Sequence, residues 1–209
     1  GYKAIFVGVG AQTNTPMGVE GEDKGYKGFI PGVYYLLEIN LGRDPYPEGK
    51  RVVVVGGGNV AIDCVRSSFR IGKADVNLVY RRTKKEMPAD RVEIHDAEEE
   101  GVKFHYLCNP VRIIEKEGKV VGMECIRMEL GEPDESGRRS PIPIAGSEFD
   151  QPMDTVVRAL GTRPNPLVFT DADRLDGGAF NRILWTGLMG DKPYPAVPTG
   201  KDLRLNRDE

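Results

Sequence analysis

The chain has 209 residues, a length that admits one large domain or two small ones. Hydrophobic residues make up 39% and charged residues 29%, a balance that supports a packed core and excludes a disordered chain. The formal net charge of −3 gives no electrostatic footprint for nucleic acid or an anionic membrane, no apolar run approaches the ~20 residues of a membrane span, and three scattered cysteines make neither a disulfide scaffold nor a zinc site.

Residues 3–9 read as a strand, with Ala4 to Val7 its buried part, running into a Gly8-Val9-Gly10-Ala11 turn. A polar, glycine-rich stretch follows to about Gly28. Val33, Leu36, Leu37 and Leu41 then recur at helical spacing, with Pro31 suited to a first helical turn and Pro45 and Pro47 closing the helix. Arg51 to Val55 is a β-branched run, as in a strand buried on both faces of a parallel sheet. It meets three glycines, and residues 59–71 read as a helix ending near Gly72. Val76 to Tyr80 is the next strand, residues 90–100 a helix capped by Gly101, and Phe104 to Leu107 a short strand.

The rhythm then changes. Val111–Glu115 and Val120–Leu130 read as strands joined by a Lys116-Glu117-Gly118-Lys119 hairpin turn. A polar loop leads to a strand at Ile142–Ile144, and Asp154 to Leu160 is a last buried strand. The middle is thus β-α-β-α-β followed by an antiparallel meander, while residues 168–209 show weak periodicity. Leu203 and Leu205 alternate with charged residues as if another strand were starting. Since few contacts cross a domain boundary, the ends read as those of a segment of a longer protein; two complete edge strands are the alternative.

Residues 52–64 read VVVVGGGNVAIDC, in which Gly56, Gly58 and Ala61 fit G-x-G-x-x-A between a strand and a helix. The first glycine allows the tight turn, the second lets a pyrophosphate approach the backbone, and the small third residue lets the helix lie close to the strand. The helix starting near Asn59 presents unpaired N–H groups and the positive end of its dipole to the anion. A glycine turn serving packing alone is the competing reading. The next strand ends in Arg81-Arg82-Thr83-Lys84-Lys85, with no acid at its tip to accept from a ribose 2′-hydroxyl. Guanidinium groups form charge-assisted bonds to a 2′-phosphate, so this tip points to NADP(H) over NAD(H). A solvated basic loop is the alternative, and both arginines reach one phosphate only if the chain turns there.

GGGNVAID at 56–63, YRRTKKEMPA at 80–89, EEEGVKF at 98–104 and ALGTRPN at 159–165 resemble the glutamate synthase small-subunit family. That family lies within the pyridine nucleotide-disulfide oxidoreductases, flavoproteins that pass electrons from NADPH to FAD. The resemblance covers roughly residues 3–167. It implies a three-layer Rossmann-like dinucleotide-binding α/β domain with an antiparallel β-meander, inserted between pieces of an FAD domain. On that division residues 1–48 carry the outgoing crossing and a linker helix, 49–160 the NAD(P)-binding domain, and 161–209 the return crossing and the start of the FAD-domain remainder. GVGAQ at 8–12 resembles the outgoing crossing, and ALGTRPN the return.

By this resemblance Gly56, Gly57, Gly58, Asn59 and Val60 hold the pyrophosphate. Arg81 and Arg82, with Thr83 beside them, hold the 2′-phosphate, and the Gly10-Ala11 and Gly161-Thr162 turns line the nicotinamide side or act as hinges. FAD and iron–sulfur clusters are expected only in the full-length protein or complex. The expected partners are the FAD domain of the same chain and an iron–sulfur or glutamate-synthase-like large subunit, in the cytoplasm, with no nucleic acid or membrane partner. The FAD glycine motif, the cysteine-rich iron–sulfur segment and the C-terminal Gly-Asp flavin motif are absent here, and residues 168–195 read as an insertion.

Cys64, Cys108 and Cys125 show no C-x-x-C spacing, and Cys64 reads as a small buried apolar residue. His95 and His105 lack ligand spacing, Glu98-Glu99-Glu100 reads as a helix end, and Arg138-Arg139 reads as a surface loop, with docking against a partner domain the alternative. No catalytic residue or metal ligand is nominated, which suits hydride transfer between cofactors. Two rival readings remain: a self-contained NADPH dehydrogenase, which lacks an evident proton-handling residue, and a non-catalytic NADP-sensing module.

Overall fold

The computed structural model of the chain describes Ala11, residues 13–133 and residues 137–163. The expected strand at 3–9, Gly10, and the expected insertion at 168–195 lie outside the described residues. Two compact units are distinguished, Asn14–Gly161 and a second formed by Gly1–Thr13 with Thr162–Glu209. The first holds almost all of the described structure.

In chain order the elements are β1 (Thr13–Asn14), β2 (Phe29–Pro31), α1 (Gly32–Asn40), β3 (Arg51–Val55), α2 (Asn59–Arg70), β4 (Asp75–Tyr80), α3 (Arg91–Glu99) and β5 (Lys103–Tyr106). Then come β6 (Cys108–Lys116), β7 (Lys119–Pro133), β8 (Arg139–Pro143), β9 (Phe149–Pro152), β10 (Thr155–Arg158) and β11 (Thr162–Arg163). A five-stranded, wholly parallel sheet runs β2-β10-β3-β4-β5. The antiparallel meander is β6-β7-β8, with β9 paired to β7. The hairpin turn between β6 and β7 uses positive φ at Glu117 and Gly118.

The valine run of β3 forms a central strand because both of its faces are covered. Val52 and Val54 join a core with the helices, through Ala61, Ile62, Val65, Ile94 and Ala97. Val53 and Val55 join a second core with the meander, through Cys108, Ile113, Val120, Met123 and Cys125. Alternation along β4 and β10 follows suit, with Leu78 and Val157 toward the helices and Val79 and Val156 toward the meander. The result is three layers: helices, parallel sheet, meander.

The expected break at residue 48 does not divide this unit. β2 pairs with β10 in register from Phe29↔Val156 to Pro31↔Arg158, and α1 packs on α2, so residues 14–48 belong to the same compact body as 49–161. Tyr35 of α1 is fully buried against α2. Ser68 Oγ donates to Cys64 O (2.7 Å) and therefore accepts from the Tyr35 hydroxyl (2.8 Å). Burial pushes that phenol up to about 12. The pairing also sets the roll of α1: Tyr35, Leu36 and Ile39 face the core, while Val33, Tyr34, Leu37 and Leu41 are exposed. Cys64 is buried as expected, with its thiol against Gly32 O.

Asp154 ties the sheet's lower edge together. It accepts from the Lys50 and Arg51 N–H groups (3.0 Å each) and from the Arg51 guanidinium (2.5 and 3.2 Å). Partial burial pushes its carboxyl up, but the Arg51 contacts outweigh this and hold it below the ordinary carboxylate range. A depressed folded pKa contributes stability that is present above the unfolded value and lost as pH falls through the folded one. Asp154→Asn is expected to cost about 1 kcal/mol near neutral pH after solvent screening. Thermal unfolding should show that gap closing as pH falls below the ordinary carboxylate range and through the lowered pKa of Asp154, where its carboxyl becomes neutral.

Candidate functional site: a crevice at the strand ends

The C-terminal ends of β3, β4 and β10 open onto a crevice of about 590 Å³. It lies beside β3, where the strand order reverses: β4 and β5 follow on one side, while β10, reached later through the meander, takes the other, the switch point at which open α/β sheets bind ligands. The volume suits a small-molecule or cofactor site.

The three glycines at its base have different roles. Gly56 has φ +150°, and a Cβ there would stand 2.3 Å from Ala159 O and 3.3 Å from Ala61 Cβ, so it serves the close approach of β3, β10 and α2. At Gly57 a Cβ would run into the Tyr80 ring at 2.5 Å. At Gly58 a Cβ would meet nothing within 4 Å, and the backbone is open to the crevice. Gly58 also caps α2, whose start has no side-chain cap and no acid in its first turn. The positive end of the helix therefore faces the crevice without an internal anion.

One wall is folded from the segment after β4. The Tyr80 hydroxyl donates to Glu86 O (2.9 Å), the Ala89 N–H to Gly57 O (3.1 Å), and the Asp90 N–H to Asn59 Oδ1 (3.0 Å). The opposite wall comes from the meander, with Cys108, Asn109 and Pro110 at the start of β6. Cys108 and Cys125 share a hydrogen bond that, with burial, keeps the Cys125 thiol protonated. The residues from Thr15 to Met17, Leu160 and Gly161 close the rim.

Of the expected site residues, Gly56, Gly57, Gly58, Asn59, Val60, Arg81, Arg82 and Gly161 line the crevice. Thr83, Ala11 and Thr162 are not among its described lining residues, and Gly10 lies outside the described set. Thr83 instead starts the short 3₁₀ turn Lys84–Glu86, its N–H and hydroxyl both donating to the Glu86 carboxylate. That pairing engages the hydroxyl expected beside the phosphate. Arg81 and Arg82 also separate: Arg81 is exposed, whereas Arg82 is 5% exposed and its Nε donates to Arg139 O in β8 (2.6 Å). Arg138, expected in a surface loop, lies in a bend, is half-buried and lines the crevice. Among the described lining residues the charged side chains are Arg81, Arg82 and Arg138, with no Asp or Glu.

Neither histidine reaches this crevice. His95 pairs with Glu99 on the exposed face of α3, and His105 lies against Asn77 (2.8 Å) and Gln151 (3.2 Å), its imidazole pKa lowered by burial. Among the described residues no group of His, Cys, Asp and Glu is placed to hold a metal, and no helix is long and apolar enough to cross a membrane.

Residues 1–182 match the family model described as pyridine nucleotide-disulphide oxidoreductase. The chain belongs to this family. Within it, the chain is 48% identical over 204 residues to the NADP(+)-dependent formate dehydrogenase subunit beta of Moorella thermoacetica, covering 98% of this chain and 29% of that subunit. It is 43% identical over 198 residues to the glutamate synthase [NADPH] small chain of Escherichia coli, covering 88% of this chain and 41% of that one. The chain thus spans less than half the length of these relatives. Among solved structures, FprA of Mycobacterium tuberculosis in complex with NADPH superposes with a TM-score of 0.62 at 21% identity, over 76% of this chain and 50% of that one. This pyridine nucleotide-disulphide oxidoreductase chain therefore shares the fold of FprA over the greater part of its length.

Proposed function

We propose that the crevice binds NADP(H), and that the chain is the nucleotide-binding, electron-input part of a longer flavin-dependent oxidoreductase. The observation that carries this reading is the switch-point crevice itself: an open Gly58 backbone, an uncapped helix start, and arginine as the sole charged lining residue type among the described residues. Those features fit the group tested. A pyrophosphate needs backbone N–H donors with no Cβ in the way, and a 2′-phosphate needs cations without a competing carboxylate.

On this reading Gly57, Gly58, Asn59 and Val60 present the start of α2 to the pyrophosphate. Asn59 stays oriented through the Asp90 N–H, so its position is set before a ligand arrives. Arg81 supplies charge for the 2′-phosphate. The Cys108–Pro110 wall, with Met17 and Val19, lines another side of the crevice. NADPH, when bound, supplies a hydride. The protein's part is position and electrostatics.

We further propose that residues 1–48 and 161–209 include the crossings to an FAD domain, although 14–48 pack with the nucleotide unit. The full-length protein would then pass electrons through flavin to iron–sulfur centres of its own chain or of a partner subunit. The relatives' names, an NADP(+)-dependent formate dehydrogenase subunit and a glutamate synthase [NADPH] small chain, support the use of NADP(H) and the presence of partner subunits. Anaerobic mixing of the full-length protein with NADPH is expected to bleach flavin absorbance far faster than mixing with NADH. A preparation without flavin, or equal rates with both nucleotides, would count against the proposal.

A further inference from the structure

We infer that Cys108 and Cys125 form a peroxide-oxidisable dithiol at the crevice wall, and that closing it to a disulfide weakens nucleotide binding there. The second half rests on the NADP(H) reading of the crevice; the oxidation itself does not.

The meander makes this pair from cysteines far apart in the sequence. β6 and β7 pair Cys108 with Arg127 and Pro110 with Cys125, so the two cysteines are diagonal neighbours on one face of the hairpin. Both belong to the core between meander and sheet. The register slips just beyond, between Pro110 and Arg112, and a bulge there sharpens the local twist. The two thiols meet in a hydrogen bond. They are not equivalent, because Cys125 is fully buried whereas Cys108 also lines the crevice. The hydrogen bond with Cys125, helped by the Arg127 charge, holds the Cys108 thiol below its ordinary value despite burial, and the same bond pushes Cys125 up. Cys108 is therefore the attacking thiol and Cys125 its resolving partner. Cys64 takes no part, since it lies in the other core with its thiol on Gly32 O.

A hydroperoxide small enough to enter the crevice is the oxidant. Cys108 Sγ attacks a peroxide oxygen; an S–O bond forms, the O–O bond breaks, and water leaves with the thiol proton. Cys125 Sγ then attacks Cys108 Sγ; the S–S bond forms, the S–O bond breaks, and a second water leaves with the Cys125 proton. The thiols lose two electrons and the peroxide gains them. A diagonal cross-strand pair sits wide for a disulfide, so the bond is strained and a small thiol reduces it readily.

The backbone beside Cys108 carries the effect to the crevice. Leu107 has φ +52°, a left-handed conformation that strains a leucine. Its N–H donates to Arg82 O (3.2 Å) at the end of β4, and its carbonyl accepts from the Met128 N–H of β7 (2.8 Å). Drawing Cys108 toward Cys125 pulls on this corner, and with it on Arg82, Asn109 and Pro110, all of which line the crevice.

The test treats the full-length protein with hydrogen peroxide, maps its cysteines by mass spectrometry, and titrates it with NADP⁺ before and after dithiothreitol. A linked Cys108–Cys125 peptide is expected, with NADP⁺ affinity lowered at least about fivefold, the low end of coupling between sites, and restored by the reductant. Cys108→Ser should show no change of its own affinity on peroxide treatment, which separates the dithiol from damage elsewhere. Cys125→Ser should leave Cys108 as a sulfenic acid that dimedone traps. Absence of the linked peptide would overturn the inference. So would a linked peptide with NADP⁺ affinity unchanged, or an equal peroxide-dependent loss in Cys108→Ser. An untreated protein that binds no NADP⁺ would overturn the proposed function and the coupling, whereas the linked peptide would still establish the dithiol.

Discussion

Gly58→Val is expected to leave the fold intact and to weaken NADP⁺ and NAD⁺ binding by at least about a hundredfold. A Cβ at Gly58 meets no atom within 4 Å, and the backbone there, φ −93° and ψ 176°, is extended and open to valine. Among the described residues nothing within 4 Å therefore resists a Cβ at this position. The branched side chain does fill the space over the first N–H groups of α2, where the pyrophosphate is proposed to sit. Each hydrogen bond to a charged group contributes about 1.5–3 kcal/mol, so losing two of them accounts for the hundredfold. Matched thermal midpoints with lost calorimetric binding is the outcome expected. Retained affinity would remove the pyrophosphate from this turn.

Gly56→Ala, only two residues earlier, should do the opposite. Its Cβ would lie 2.3 Å from the Ala159 carbonyl oxygen and 2.9 Å from the carbonyl carbon, both rigid backbone. Its φ of +150° is one that L side chains rarely adopt. Relief requires β10 to move from β3, yet these strands pair over four residues, and the Ala159 N–H donates to Val55 O beside the clash. Backbone strain and overpacking together are expected to cost about 3 kcal/mol or more. Urea unfolding should show this directly, and an unchanged midpoint would mean that the strand ends are looser than described. The pair of variants separates a glycine needed for packing from one needed for a ligand.

The parts of this fold most legible in the sequence are those whose neighbours are close along the chain. The valine run of β3, the glycine turn and α2 fall within a residue or so of their expected bounds, because a strand buried on both faces and a strand–turn–helix unit carry local signatures. Phe29–Pro31 and Phe149–Pro152 carry none. They are strands because β10 and β7 offer them unpaired edges, the former from more than 120 residues away. The helix α1 was legible as a helix but not in its roll. Of the expected stripe Val33, Leu36, Leu37 and Leu41, only Leu36 packs on the core, beside Tyr35 and Ile39, and the Tyr35 hydroxyl meets Ser68.

The same contrast runs through the crevice. The glycines and the basic strand tip were readable from spacing and residue type. Arg81 and Arg82 look interchangeable in the sequence, whereas in the fold Arg82 is buried with its Nε on the Arg139 carbonyl, 57 positions along, and Arg81 is exposed. Thr83 was drawn away by Glu86, a capping contact three residues on that a closer reading of T-K-K-E could have anticipated. Arg138 had no local signal, since a loop between strands of a meander reads as surface until the meander is known to cover the sheet.

The most direct test of the central claim is the ratio of NADP⁺ to NAD⁺ dissociation constants for the wild-type full-length protein, measured by titration at one fixed ionic strength. A guanidinium at the 2′-phosphate, supplied by Arg81, predicts NADP⁺ tighter by at least about tenfold. Equal affinities, or tighter NAD⁺, would contradict a crevice built to select that phosphate.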